Sequence, residues 1–186
     1  MAINPKRWRK SPQRGFTILE ALIASVVLAV GMIGLLGFFV ASIANIQNSQ
    51  EELLARQKAR ETLESIYAAR NSQQITFDGI NNVVNGGIFL DGPQPLRDAG
   101  NDGIFGTVDD GNIQTVVLPG QDGVLGTADD TTRTLSEFQR EIKITPLNRS
   151  DGTFNPDLRE IIVTVSYNTP AGLRSYSTAG YVSRFR

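Results

Sequence analysis

Between Asp98 and Asp130 the chain holds seven aspartates and no lysine or arginine. They fall in a repeat: GNDGIFGTVDD, Gly100 to Asp110, recurs twenty residues later as GQDGVLGTADD, Gly120 to Asp130, identical at seven of eleven positions. Carboxylates spaced by turn glycines are the oxygen donors that a hard cation takes, so one or two Ca²⁺ ions are the expected ligand. Two registers are open. In the first, Asp98, Asp102 and Asp109 stand at the first, fifth and twelfth positions of an EF-hand-like loop with Gly103 at the sixth. The second copy breaks this match, because Leu118 holds its first position, and the twelfth ligand is Asp rather than the longer Glu. In the second register Asp102, Asp109, Asp110, Asp122, Asp129 and Asp130 are shared between paired loops. The plainer alternative is a pair of Asp-Gly turns ending in solvated acids.

Other chemistries are closed off by composition. The 186 residues include no Cys and no His, which removes disulfides, thiol nucleophiles, Cys/His metal sites and imidazole acid-base catalysis. The chain contains no G-x-S-x-G, H-E-x-x-H, P-loop or dinucleotide fingerprint, so neither an enzyme nor an organic cofactor is expected. The net charge of −1 conceals an uneven distribution. Lys6, Arg7, Arg9, Lys10 and Arg14 crowd the first fifteen residues; removing these five from the 18 cations leaves 13 against 19 acids, or −6, for everything after Gly15. No nucleic-acid footprint is visible in that balance.

The elements that must position these residues begin with an apolar segment. Phe16 to Ala44 carries one charge, Glu20, and as a helix is about 43 Å long at ~1.5 Å per residue, enough to span a hydrocarbon core of roughly 30 Å. The basic residues before it place the N-terminus in the cytoplasm by the positive-inside rule. A secretory signal cleaved after Ser42-Ile43-Ala44 is the first alternative, although the segment is about twice the ~7–15 residues of a signal core. A plain anchor is the second, and it leaves Glu20 unexplained, since an acid at midmembrane costs about 2.5–3.5 kcal/mol on insertion scales. Thr17-Ile18-Leu19-Glu20 has the T-x-x-E spacing of a capping box, which is one local reason for an acid there.

The stretch RGFTILEALIASVVLAVGMIGLLG resembles the N-terminus of type IV pilins and type II secretion pseudopilins. The resemblance implies that a prepilin peptidase cuts after Gly15, that Phe16 becomes an N-methylated first residue, and that Glu20 is the family's acid at the fifth mature position. It covers roughly residues 10 to 70. AVGMIGLLG and ARQKARETLESI resemble minor pilins of the pilus-modification type, while the C-terminal Cys pair of the disulfide-looped major pilins is absent. Gly31, Gly34 and Gly37 recur every third residue, read either as close packing in the membrane or as a helix stretch that loosens when subunits pack.

Helical periodicity continues past Asn45, with Ile46, Leu53, Leu54, Leu63, Ile66 and Tyr67 near one face, so one helix is expected from about Thr17 to Ala69 with that stripe laid on a sheet. The clearest strands are 141–145, 160–167 and 173–184, the last two joined as a hairpin through residues 168–172; 113–118 and 87–90 are weaker. The expected fold is α+β: a long N-terminal helix, transmembrane in its first half, packed on a small antiparallel sheet. The expected organisation is a leader (1–15), a membrane and assembly segment (16–44) and a periplasmic or extracellular head (45–186). The resemblance implies as partners a prepilin peptidase/methyltransferase, other pilin subunits and the inner membrane, with a filament at the periplasm or cell surface as destination. A membrane-anchored, calcium-binding adhesion module that does not polymerise is the alternative.

Overall fold

The computed structural model describes residues 15–170 and 172–185. The leader expected at 1–15, apart from Gly15, lies outside the described residues, as does Ala171 in the expected hairpin turn. In chain order the elements are helix α1 (Ile18–Asn71), a 3-10 turn (Val83–Asn85), and strands β1 (Gln94–Pro95), β2 (Thr115–Leu118), β3 (Thr131–Thr134), β4 (Phe138–Asn148), β5 (Phe154–Thr169) and β6 (Gly172–Ser183). The architecture is α+β, one long helix and an antiparallel sheet, as the sequence led us to expect. The chain divides into two compact units, one ending at Ile46 and one running from Gln47 to Arg186.

The first unit contains the apolar part of α1. Helix α1 includes an 18-residue window of mean hydropathy 2.6, none of it buried. Residues 15–41 are exposed all round, Ile18 and Val40 as much as Phe38 and Phe39. A helix apolar on every face has no solvated side and suits lipid or the packed interior of an assembly.

In the second unit four strands form one sheet in the order β1-β4-β5-β6, all neighbours antiparallel. The period-two alternation of β4 and β5 makes this sheet: Phe138, Ile142 and Ile144 face inward opposite Tyr167, Val163 and Ile161, while Gln139, Glu141 and Lys143 lie on the other face. The register shifts between Pro146 and Asn148, where proline has no N–H to give the ladder. Phe138 stacks on Tyr167 with ring centroids 5.4 Å apart.

The helix lies on this core through part of the expected stripe, Ile66 with Leu54 and Leu63 beside it, and through small residues that were not expected. The buried positions are Ala55, Ala59, Thr62, Ile66 and Ala69, spaced four, three, four and three. Leu54 and Leu63 pack at its margin, whereas Ile46 and Leu53 are exposed. Small residues on the contact line let the helix backbone come close to the sheet. Gly180 of β6 completes that approach, since a Cβ there would collide with the Tyr67 hydroxyl and crowd Leu63. Two arginines fasten the segment after the helix: Arg159 donates to the Phe77 carbonyl at 2.7 Å and lies over the Phe77 ring, and Arg184 pairs with Asp78 at 2.8 Å.

Strands β2 and β3 pair with each other as a separate two-stranded hairpin, Thr115 opposite Thr134 through Leu118 opposite Thr131. Its base is held by Leu135, which is buried, and by an Arg133–Glu51 ion pair of 2.7 Å to the helix. Of the weaker strand expectations, 113–118 contains β2. Residues 87–90 form no strand; Phe89 is a core residue that makes a single bridge to Asn82. Strands β1 and β3 were not expected; β1 is two residues long and β3 reads Thr-Thr-Arg-Thr, without an apolar signal.

Candidate functional site

At the start of α1 the chain forms half of the expected capping box. Thr17 Oγ1 accepts the Glu20 N–H at 3.2 Å, satisfying one orphan donor of the first turn. The reciprocal half is missing: among the described residues the Glu20 carboxylate has no hydrogen-bond or ion-pair partner. Gly15 and Phe16 precede the helix in a non-helical conformation and are exposed, Phe16 to 85%. Gly15 and Phe16 thus both face solvent, and the Glu20 carboxylate lies inside the apolar segment.

The two acidic repeats fold as twin loops. In the first, the Asp102 carboxylate accepts the Ile104 N–H at 2.8 Å, Asp110 accepts the Gly106 N–H at 2.9 Å, and the Thr107 hydroxyl donates to Asp109 at 2.6 Å. In the second, Asp122 accepts from Val124 at 2.8 Å, Asp130 from Gly126 at 2.6 Å, and Thr127 donates to Asp129 at 2.7 Å. Gly100 and Gly120 are required in both, because a Cβ at either would collide with the carboxylate of Asp109 or Asp129. The repeated residues thus specify one loop twice, with each acid closing its own turn.

Among the described residues no three acidic side chains group closely enough to hold a metal ion. The Asp98 backbone is paired with Gly111 and Asn112. The structure brings Asp102 close to Asp109, and Asp122 close to Asp129, within single loops; it does not gather the six shared aspartates into one set.

What separates the copies is their surroundings. Ile104 and Phe105 of the first loop are buried, and Asp110 meets the guanidinium of Arg140 at 3.3 Å with both side chains sequestered from water. Arg140 also donates to Thr62 Oγ1 on α1 and to the Arg97 carbonyl, each at 3.3 Å, and lies 4.8 Å from the Phe105 ring. One side chain therefore ties sheet, helix and loop together. Sequence reasoning passed over it, although an arginine at the inward phase of Phe138-Gln139-Arg140-Glu141-Ile142 was a readable anomaly. In the second loop Val124 and Leu125 are 56% and 61% exposed, and among the described residues no arginine reaches Asp130.

Burial raises the Asp110 carboxyl above the ordinary aspartate range, against the pull of the Gly106 and Thr107 amides and of Arg140. The Thr107 hydroxyl holds Asp109 below that range, and Thr127 does the same for Asp129. Carboxylate NMR titration is expected to find Asp109 and Asp129 below, and Asp110 above, the usual value of about 3.9. Thr107→Val should return Asp109 toward that value; a midpoint unmoved by the change would show that the hydroxyl contact is not formed in solution.

Residues 10–36 match the family model described as the prokaryotic N-terminal methylation motif, the prepilin signature of type IV pilins and pseudopilins. Comparison with curated proteins and with solved structures gives no match.

Proposed function

We propose that this chain, which carries the prepilin signature, is a structural subunit of a filament: a minor pilin or pseudopilin, cut after Gly15 and polymerised through its N-terminal helix. It enters the inner membrane as a single span with its N-terminus in the cytoplasm, and then joins a type IV pilus or type II secretion filament. The observation that carries this reading is the junction at residues 15–20. An exposed Gly-Phe bond stands immediately before an all-round apolar helix whose first turn holds an acid with no partner among the described residues. Cleavage there makes an α-amino group, largely cationic with a pKa near ~8. Such a cation about 4 Å from the Glu20 carboxylate of a neighbouring subunit gains roughly 4 kcal/mol at an effective dielectric near 20, before both groups are desolvated. That contact rewards one axial register between subunits.

Glu20→Val is the test. It should leave membrane insertion intact, because it removes a charge from lipid, and lower incorporation into filaments about tenfold if the net gain left is ~1.4 kcal/mol. Equal incorporation of variant and wild type in competition would reduce Glu20 to a helix-end residue. A membrane-anchored adhesion module that never polymerises predicts the same equality, together with an unmethylated N-terminus.

Calcium binding by the twin loops is a separate proposal, resting on the repeated acids in the sequence. A bound ion stabilises the fold by RT ln(1 + [L]/Kd), about 2.7 kcal/mol at a hundredfold excess over Kd. Melting the protein in millimolar calcium and in chelator decides it. A higher Tm in calcium, lost in the Asp102→Ala/Asp122→Ala variant, supports the ion; equal Tm values leave the acids as closers of their own turns.

A further inference from the structure

The chain builds the same loop twice and gives a socket to only one copy. The first loop shows what the motif docks into. Its Ile104-Phe105 pair enters the core, and its last aspartate meets Arg140, whose guanidinium also covers the Phe105 ring. The second loop shares the Asp122–Val124, Asp130–Gly126 and Thr127–Asp129 hydrogen bonds of the motif and the same left-handed glycine, φ 70° at both Gly103 and Gly123. It sits at the end of the β2–β3 hairpin, and its counterparts of the docked pair, Val124 and Leu125, are in water, with Val117 and Leu118 at the adjoining end of β2 also exposed. In the first copy Arg140 meets Oδ2 of Asp110; among the described residues no arginine reaches the equivalent Oδ2 of Asp130. An exposed apolar pair beside a carboxylate that lacks its arginine is an open copy of the docked motif. The loop is acidic, which selects for a cation on the other side.

We infer that the second loop, residues 119–130, is a docking element that inserts Val124 and Leu125 into an apolar cleft of the adjacent filament subunit, with an arginine of that cleft on Asp130. The inference rests on the proposal that the chain assembles into a filament, and it assigns a subunit contact outside the N-terminal helix. A plug on one subunit and a socket on the next is a heterologous contact, the kind that propagates into a filament. The partner is defined by the chemistry of the socket already seen at Arg140.

The test uses the full-length chain in cells that assemble filaments. Leu125→Asp removes the apolar insertion. Asp130→Asn keeps an acceptor for the Gly126 N–H while removing the charge that an arginine would meet. Both variants should melt as wild type and be processed as wild type, yet each should fall about tenfold in sheared filaments. A photo-cross-linking amino acid at position 125 should join the chain to an arginine-containing peptide of another filament subunit. The same probe at Val108, an exposed apolar residue of the first loop, should not. Normal incorporation of both variants, or cross-links only to lipid or to proteins outside the filament, overturns the inference; if wild type is meanwhile found in filaments with Phe16 as its first residue, the proposed function stands. Wild type absent from filaments removes both. Should Leu125→Asp lower the Tm, Asp130→Asn and the cross-link decide.

Discussion

Gly15→Val is expected to leave the chain as a full-length precursor in the inner membrane and to remove it from filaments. Gly15 is exposed, and nothing lies within 4 Å of the position a Cβ would take, so a side chain there costs this fold nothing. Nor does the change alter the charge of the leader or the hydropathy of α1, the two properties that direct insertion. On the proposed function, a bulkier side chain at Gly15 acts at the peptidase site that would hold the Gly-Phe bond. Immunoblotting of the membrane and sheared-filament fractions reads the outcome directly. Normal trimming of the variant would show that the glycine is incidental and would take the processing proposal with it.

Arg140→Ala should be the most damaging substitution in the unit from Gln47 onward. Removing one member of a buried ion pair typically costs about 3–5 kcal/mol, because the other charge is left uncompensated. Here that charge is Asp110, with its side chain 7% exposed. The same cut removes hydrogen bonds to Thr62 and to the Arg97 carbonyl and the guanidinium over Phe105. Against a total stability of about 5–15 kcal/mol for an ordinary domain, the loss takes a large share. Denaturant unfolding should show a lowered midpoint, with the first loop most affected. The Arg140→Met/Asp110→Asn pair should recover part of the loss, since no bare charge remains. A cost under ~1 kcal/mol for Arg140→Ala would mean that water reaches the pair and that the first loop does not need its socket.

Much of this molecule was legible in its residues. The length and all-round apolarity of 16–44, the Gly-Phe junction and Glu20 are local signals, and they pointed to a helix and a chemistry without tertiary information. Strands β4, β5 and β6 announced themselves by alternation, and the hairpin by its turn residues. The small residues of the helix's contact stripe did not. Leucines at 53, 54 and 63 outweighed alanines at 55, 59 and 69 in the periodic pattern, yet the sheet needed a close approach, and small residues supply it. The acidic repeat was read correctly as a duplication, but the hydrogen bonds its acids make within each loop were not legible, because sequence does not show which lone pairs a fold engages. Asp102 and Asp122 accept backbone N–H groups two residues on, and Asp109 and Asp129 take threonine hydroxyls. The difference between a docked loop and an exposed one lay in Ile104-Phe105 against Val124-Leu125 and in a partner arginine thirty residues away, which only the folded chain brings to Asp110.

The filament reading stands or falls on where the mature chain begins. Mass spectrometry of the intact protein and its N-terminal peptide, taken from sheared surface filaments, measures processing and incorporation together. The expected result is a chain that starts at Phe16 with a methylated α-amino group, recovered in the filament fraction. A chain that starts at Met1 or at Asn45, or one found only in the membrane, would contradict it.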